Sequence, residues 1–153
     1  MNRTRRLLNV AETAKGGIAS YLNILGLKRE ALNCEYSYLI PEAHKALVIS
    51  ENVIAHECGR GVLRTFLLTV KLVLAVRQIR LDVIFAHSAF AVVSLCLAYP
   101  FLLGKHIKML YCPHVWTSFR ASSTRMKKVV QFIGRAMSLI RNRAIMPTFK
   151  AAL

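Results

Sequence analysis

The sequence predicts an α/β fold in which helices cover both faces of a parallel sheet. Short apolar runs of strand-like composition alternate along the chain with longer segments of helical periodicity. The predicted strands are themselves apolar, as expected for a parallel sheet that is covered on both faces. Hydrophobic residues make up 55% of the 153 residues, which is enough for one domain with a substantial core and argues against disorder.

The first half of the chain contains three predicted strands and one helix. The strands lie at residues 5–11, 35–40 and 51–57, and the helix at 18–32. Gly16 and Gly17 form the turn between the first strand and the helix, and Pro41 stops the second strand. This order of elements fits the start of a parallel sheet with a crossover helix.

The second half continues the alternation with a long helix at 62–80, a strand at 81–88, a helix at 89–103, a strand at 106–114 and an amphipathic helix at 124–143. The stretch at 89–103 is the most apolar of these. It has about fifteen residues, fewer than the roughly twenty that a membrane span needs, and Pro100 interrupts it. We therefore predict a buried helix there.

Ligands of open parallel sheets bind beyond the carboxyl ends of the strands. Three places in this sequence follow predicted strands and carry conspicuous polar or glycine residues, at 12–17, 87–88 and 113–116. The candidate site residues there are Gly16, Gly17, His87, Ser88, His114 and Trp116. His44, His56 and His106 have no such placement and are predicted to be surface or packing residues.

Each candidate has two interpretations. Gly16 and Gly17 are either an ordinary tight turn or a backbone cradle for a phosphate at a helix N-terminus. The dinucleotide and P-loop patterns are both absent from the sequence around them. His87 and His114 either cap loops or donate to a sugar or phosphate, and Trp116 either anchors its loop or stacks on a ligand.

The charge of the chain is strongly positive, with 22 Lys and Arg against 7 Asp and Glu. Such an excess predicts an anionic partner, which could be a lipid surface, nucleic acid or a phosphorylated substrate. The basic face of the helix at 124–143 is either a membrane-surface contact or a solvated face. Nucleic-acid binding is not predicted, since no recognised motif accompanies the charge.

Other chemistries receive no support from the sequence. The four cysteines are widely scattered and are predicted to be small buried hydrophobes in a reducing, cytoplasmic environment. The histidines lack the spacing of a metal site, so no metal or cofactor is expected. A Ser-His-Asp set and a carboxylate pair are also missing, which argues against a hydrolase.

Three segments together resemble the N-terminal half of family-4 glycosyltransferases of bacterial polysaccharide synthesis. They are "LLNVAETAKGGIASYLNIL", "DVIFAHSAFAVVSLCLAYPFLLG" and "MLYCPHVWTSFR", in the family's order and spacing. The resemblance reaches to about residue 140. It implies the N-terminal half of a GT-B fold, in which two Rossmann-like domains face each other and sugar passes from a nucleotide-sugar to a glycan or lipid-linked acceptor without a metal.

The resemblance also assigns roles to individual residues. It implies that Gly16 and Gly17 approach the donor diphosphate, that His87 lies on the acceptor side, and that His114 lines the reaction centre. Val115 departs from the family pattern, which has glycine after that histidine. A β-branched residue there strains the loop if the position needs a positive φ.

The expected organisation is a single Rossmann-like acceptor-side domain over 1–153, with the C-terminal nucleotide-sugar domain absent. Such a chain is expected to be inactive alone, and whether it is an enzyme stays open. The expected location is the cytoplasm, either free or peripheral at the inner membrane. Two alternatives remain: a non-catalytic membrane-surface module or transferase remnant, and a basic Rossmann-like binding protein unrelated to glycan synthesis.

Overall fold

A computed structural model describes residues 3–50, 52–57, 59 and 61–112. Five strands form one sheet in the order β3-β2-β1-β4-β5, and every neighbouring pair is parallel. The strands are β1 (Arg5–Val10), β2 (Cys34–Pro41), β3 (Val53–His56), β4 (Val83–Ala86) and β5 (Lys108–Tyr111). The predicted α/β fold with a Rossmann-like parallel sheet is confirmed.

Three α-helices and one 3-10 helix connect the strands. They are α1 (Gly17–Leu27), α2 (Val62–Gln78), α3 (Ala89–Leu102) and the 3-10 helix Glu42–Leu47. The 3-10 helix was not predicted, because so short a turn has no periodicity to detect. The first helix ends five residues earlier than predicted, since the polar segment after Leu27 offers no apolar stripe to bury.

The sheet is covered on both faces. Leu22 of α1 packs with Tyr38 and Ile40 of β2 in one buried cluster. Side chains alternate along a strand, so the fully buried Leu39 points to the opposite face. There α2 and α3 pack against each other, and the Ser94 hydroxyl donates to the Thr65 carbonyl across the pair at 3.1 Å. Right-handed crossovers place these two helices on the face away from α1.

Cys34, Cys96 and Cys112 are free and half-buried, so the predicted burial is only partial for these three. Within the described residues, no helix combines the length and the apolar character that a membrane crossing needs. The predicted helix at 124–143 lies outside the described residues.

The topology places a switch point between β1 and β4. The chain leaves β1 towards β2 on one side and later returns to place β4 on the other side of β1. Loops that leave the carboxyl ends of these two strands therefore diverge to opposite faces of the sheet. Such a switch point is where open α/β sheets bind ligands.

Candidate functional site at the carboxyl edge of the sheet

Two of the three predicted places lie beside each other at this switch point. The segment 11–17, called the glycine loop from here on, leaves β1, and His87 and Ser88 leave β4. The Glu12 amide donates to the Ser88 hydroxyl at 3.4 Å, which joins the two segments directly. The sequence thus placed both segments at one edge correctly.

Gly16 and Gly17 differ in why they are glycine. Gly16 has φ +57° and ψ −130°, a conformation that side chains rarely adopt, so the turn itself requires glycine. Gly17 begins α1 without a positive φ. A Cβ at either position would meet no heavy atom within 4 Å. Gly17 therefore has open space in front of it and no conformational need for glycine.

His87 is buried under α1 and is held by a specific partner. Its Nε2 lies 2.9 Å from Oδ1 of Asn9, and the two residues are 1% and 0% exposed. The ring also contacts Phe85 and Tyr21, with centroid distances of 4.5 and 5.6 Å. Since the Asn9 oxygen accepts, the proton of a neutral His87 ring belongs on Nε2.

Asn9 was not singled out in the sequence. Within the described part of the chain, its Nδ2 is a buried donor for which no hydrogen-bond acceptor is found. An unsatisfied buried amide is costly, so its presence in the buried half of β1 calls for an explanation beyond packing. The sequence feature that could have indicated Asn9 as a site residue is its polar side chain in the middle of the apolar run "LLNVA".

Ser88 has a structural role in the described residues. Its hydroxyl accepts from the Ala91 amide at 3.1 Å and so caps the N-terminus of α3, while it also receives the Glu12 amide. The side chain is half-buried. Ser88 therefore fixes the position of the glycine loop relative to α3, whatever else it contacts.

His44 and His56 also belong to this edge, so the prediction that they have no place there is wrong, although both are buried as packing residues are. His56 ends β3 and pairs in register with Pro41, and His44 lies in the 3-10 helix that follows β2. They are 8% and 2% exposed. His56 ends β3 and His87 directly follows β4, so a position at a strand end could have indicated both residues. His44 lies within a 3-10 helix that the sequence did not reveal.

Both rings bind the backbone of the glycine loop. The Ala14 amide donates to Nδ1 of His44 at 3.1 Å, and Nε2 of His56 lies 3.1 Å from the Ala11 carbonyl oxygen. The other nitrogen of His56 lies 2.8 Å from the Glu57 carbonyl oxygen. A neutral ring can donate to only one of these two carbonyls at a time.

Burial sets the protonation of both rings. It lowers the pKa of His44 below the ordinary histidine value, and the nearby Lys15 and His56 lower it further. Burial also lowers the pKa of His56, although the Ala11 carbonyl and Glu12 oppose that effect. Neutral rings are therefore favoured near pH 7, which agrees with the acceptor role of Nδ1 in His44.

Tyr21 and Cys112 complete the described part of this edge. Burial raises the pKa of the Tyr21 hydroxyl, and Cys112 beside it adds to the effect. Burial also raises the pKa of the Cys112 thiol, so it stays protonated and is a poor nucleophile. Among residues in the described ranges, no group of three potential ligands could hold a metal ion.

His114 and Trp116 lie outside the described residues, as does Val115. Their predicted roles at the third place along the edge, 113–116, therefore stay predictions. The described strand β5 ends at Tyr111 beside Ala86 of β4, with which it pairs in register. The chain thus leaves the carboxyl edge at β5 just before this segment.

No protein-family model matches the chain. A curated relative, described as an uncharacterized 41.2 kDa protein in the cps region of Klebsiella pneumoniae, is 26% identical over 135 residues, which cover 86% of this chain and 37% of the relative. The crystal structure of the glycotransferase of kitacinnamycin aligns with a TM-score of 0.53 and 14% identity, over 99% of this chain and 43% of that protein.

The structural neighbour is a glycosyltransferase. At this identity the likeness concerns the fold, and it agrees with the Rossmann-like sheet described above. The chain spans less than half the length of the curated relative and of the structural neighbour.

Proposed function

We propose that these residues form the acceptor-side domain of a glycosyltransferase in polysaccharide synthesis. The transferase would pass a sugar from a nucleotide-sugar to a glycan or a lipid-linked acceptor. Two comparisons support this proposal: the fold is that of a glycosyltransferase neighbour, and the curated relative comes from a cps region. The resemblance of the sequence motifs to family-4 transferases with a GT-B fold points in the same direction.

The open space at Gly17 is the observation that carries the proposal. The first amides of α1 lack acceptors within the helix, and the helix dipole is positive at this end. Lys15, an exposed cation, stands beside them in the glycine loop. A diphosphate or another anionic group could approach this backbone closely because neither Gly16 nor Gly17 carries a Cβ.

The other candidate site residues have roles at the same edge in this proposal. In this proposal His87 and Ser88 shape the acceptor side, with His87 acting from beneath the surface through the orientation that Asn9 gives it. His114 would line the reaction centre and Trp116 would contact the sugar, as the resemblance implies. The glycine loop would contact the diphosphate of the nucleotide-sugar, a second domain would supply the rest of that pocket, and these 153 residues would not transfer sugar without it.

Substitution of Gly17 by alanine tests the proposal with a matched control. Gly17→Ala places a methyl group in the open space, whereas helix propensity favours alanine by about 0.5–1 kcal/mol, so folding should not suffer. Gly104→Ala is the control, since Gly104 also faces open space but lies before β5 at the opposite edge. Its φ of +85° means that some loss of stability is expected there.

The readout is binding of UDP-glucose and of a polyprenyl-diphosphate-linked disaccharide in detergent micelles. We expect Gly17→Ala to weaken binding of at least one of them by about tenfold, as a steric clash worth about 1.4 kcal/mol would do. Gly104→Ala should bind like the unsubstituted protein. Equal binding by both variants, or no binding by the unsubstituted protein, would contradict the proposal. Sugar transfer after addition of a separately produced donor domain would then test the full reaction.

A second candidate function, a non-catalytic module at an anionic membrane surface, is favoured by one face of α2. Apolar side chains there are exposed: Val62, Leu63, Phe66, Leu67, Val70 and Leu74. Lys71 and Arg77 are exposed on the same helix, which has no acidic residue. An apolar row with cationic neighbours suits the interface of an anionic bilayer. Cosedimentation with phosphatidylglycerol vesicles, without any response to the two glycan-related ligands, would favour this function.

A further inference from the structure

Three side chains reach the backbone of the glycine loop from the ends of three different strands. His56, after β3, meets the Ala11 carbonyl; Ser88, after β4, meets the Glu12 amide; His44, after β2, meets the Ala14 amide. The three loop residues involved, Ala11, Glu12 and Ala14, are themselves buried. Each contact therefore offers a partner to a buried backbone group, and His56 donates to the Ala11 carbonyl in the tautomer that carries its proton on Nε2.

Histidine is a demanding choice for these contacts. Both rings are buried and both have a lowered pKa, so each costs the free energy of desolvation that an apolar residue would avoid. Loops at strand ends are ordinarily exposed and mobile. Here two side chains from distant positions along the chain, 30 and 45 residues away, fix the loop just before Gly16 and Gly17.

We propose that His44 and His56 are positioning residues, which hold the glycine loop in the arrangement that presents the Gly16 and Gly17 backbone to an anionic ligand. The role as a ligand loop rests on the proposed function, whereas the attachment of the loop rests on the contacts alone. Neither histidine is placed in contact with a ligand. They act through the backbone of Ala11 and Ala14.

The attachment depends on pH in a defined direction. Nδ1 of His44 accepts a hydrogen bond, so protonation of this atom would set two N–H groups against each other. The charged groups that face His44 are Lys15 and the His56 ring, and those that face His56 are Glu12 and Lys71. Acidification below the lowered pKa of His44 should therefore release Ala14, and the proximity of Lys15 makes protonation harder.

The test uses paired variants of each histidine. His44→Asn keeps an acceptor near the position of Nδ1 but cannot titrate, while His44→Leu has no acceptor. His56→Gln keeps a donor near the position of Nε2, and His56→Leu removes it. The first readout is the hydrogen-exchange protection factor of the Ala14 amide between pH 5 and 8, because that amide is the donor to His44.

We expect His44→Leu to lower the protection of Ala14 by about tenfold at pH 7, and His44→Asn to keep it within about threefold of the unsubstituted protein. The protection should fall on acidification in the unsubstituted protein and stay level in His44→Asn. His56→Leu should lower protection in the loop, and His56→Gln should restore it. A general structural defect would not produce this rescue pattern or remove the pH dependence. If His44→Leu does not fold, the protection of the Ala14 amide in His44→Asn and in the unsubstituted protein is still compared across pH. A pH dependence that is present in the unsubstituted protein and absent in His44→Asn supports the proposal, and an equal dependence in both overturns it.

The second readout is the binding of UDP-glucose at pH 7. The diphosphate of this ligand keeps its charge between pH 5 and 8. We expect about tenfold weaker binding by His44→Leu, because a smaller fraction of molecules holds the competent loop, and near-normal binding by His44→Asn. Unchanged Ala14 protection in His44→Leu, or failure of His44→Asn to restore it, would overturn the proposal. Lost protection with unchanged ligand binding would also overturn it. If the protection pattern is as expected but no protein binds UDP-glucose, the proposed function fails and the attachment stands.

Discussion

The two edges of the sheet differ in the burial of their polar groups. At the carboxyl edge, Asn9, His44, His56 and His87 are buried and contact one another or the glycine loop through short hydrogen bonds. At the amino edge, the charged pairs are exposed: Arg6 lies 2.9 Å from Glu35, and Arg3 lies 3.4 Å from Asp82. The strands therefore end in buried polar groups, which cost desolvation free energy, at the carboxyl edge. At the amino edge they begin beside charged groups that stay in contact with water.

The amino edge nevertheless has a recessed surface of its own. A cavity of about 370 Å³ opens there beside the start of β2, with Arg29, Asn33 and Asn52 among its walls. Its polar walls are mostly exposed side chains of turns. Volume alone therefore does not mark the site; buried polar groups at a switch point are the stronger indication, since burial without function lowers stability.

The largest effect on stability should come from Asn9. In Asn9→Ala the His87 ring loses its partner at Nε2 and a cavity forms below α1, and these losses should exceed the gain from removal of the unsatisfied Nδ2 donor, with a net cost of about 2 kcal/mol of unfolding free energy. Urea denaturation followed by circular dichroism measures this loss. A change below about 0.5 kcal/mol would mean that the buried pair contributes no more than a surface contact does.

The carboxyl edge should also make stability depend on pH. The pKa values of His44 and His56 are lowered in the folded chain, so the unfolded chain binds more protons as the solution becomes acidic. Their contribution is complete above the ordinary histidine value near 6.5 and is lost as the pH falls towards the lowered values. We expect the unfolding free energy to fall between pH 7.5 and 5 in urea titrations.

The double variant His44→Asn/His56→Gln provides the control, because neither replacement titrates in this range. It should flatten the dependence of stability on pH. An equally steep loss of stability in the double variant would assign the pH dependence to other groups and contradict this description of the carboxyl edge.

Removal of one serine hydroxyl at each edge compares how much a single hydrogen-bonding group contributes to stability there. Ser88→Ala removes the cap of α3 and the acceptor of the Glu12 amide, which should cost about 1 kcal/mol. Ser50→Ala removes an acceptor for the Asn52 amide near the amino edge, at 3.2 Å on an exposed turn, and should cost a few tenths of a kcal/mol. Equal costs, measured by thermal denaturation, would remove the contrast between the two edges.

The smallest effect is expected at the exposed ion pair. Glu35→Gln removes the charge that faces Arg6, and both side chains are about half exposed. The unfolding free energy should change by less than about 0.5 kcal/mol, and less still in 0.5 M salt, because exposed pairs are screened. A cost above 1 kcal/mol that persists in high salt would show that the amino edge contributes more than its exposure suggests.

The sequence predicted the order of all five described strands and three α-helices, because each follows from local periodicity. It also placed Gly16, Gly17, His87 and Ser88 at one edge, since strand ends of a parallel sheet converge. The sequence did not predict the helix end at Leu27 or the 3-10 helix around His44, because both depend on short turns rather than on periodicity. The contact of Asn9 with His87 joins residues 78 positions apart, and nothing local in either segment specifies that pairing.

A titration of ¹⁵N-labelled protein with UDP-glucose, followed by backbone NMR shifts, tests the central claim most directly. The claim is that anionic sugar ligands bind at the carboxyl edge, between the glycine loop and His87-Ser88. We expect the shift changes to cluster at residues 11–17 and 87–88, and to disappear in Gly17→Ala. Changes confined to Arg29, Asn33 and Asn52 at the amino-edge cavity, or no changes at all, would contradict the claim.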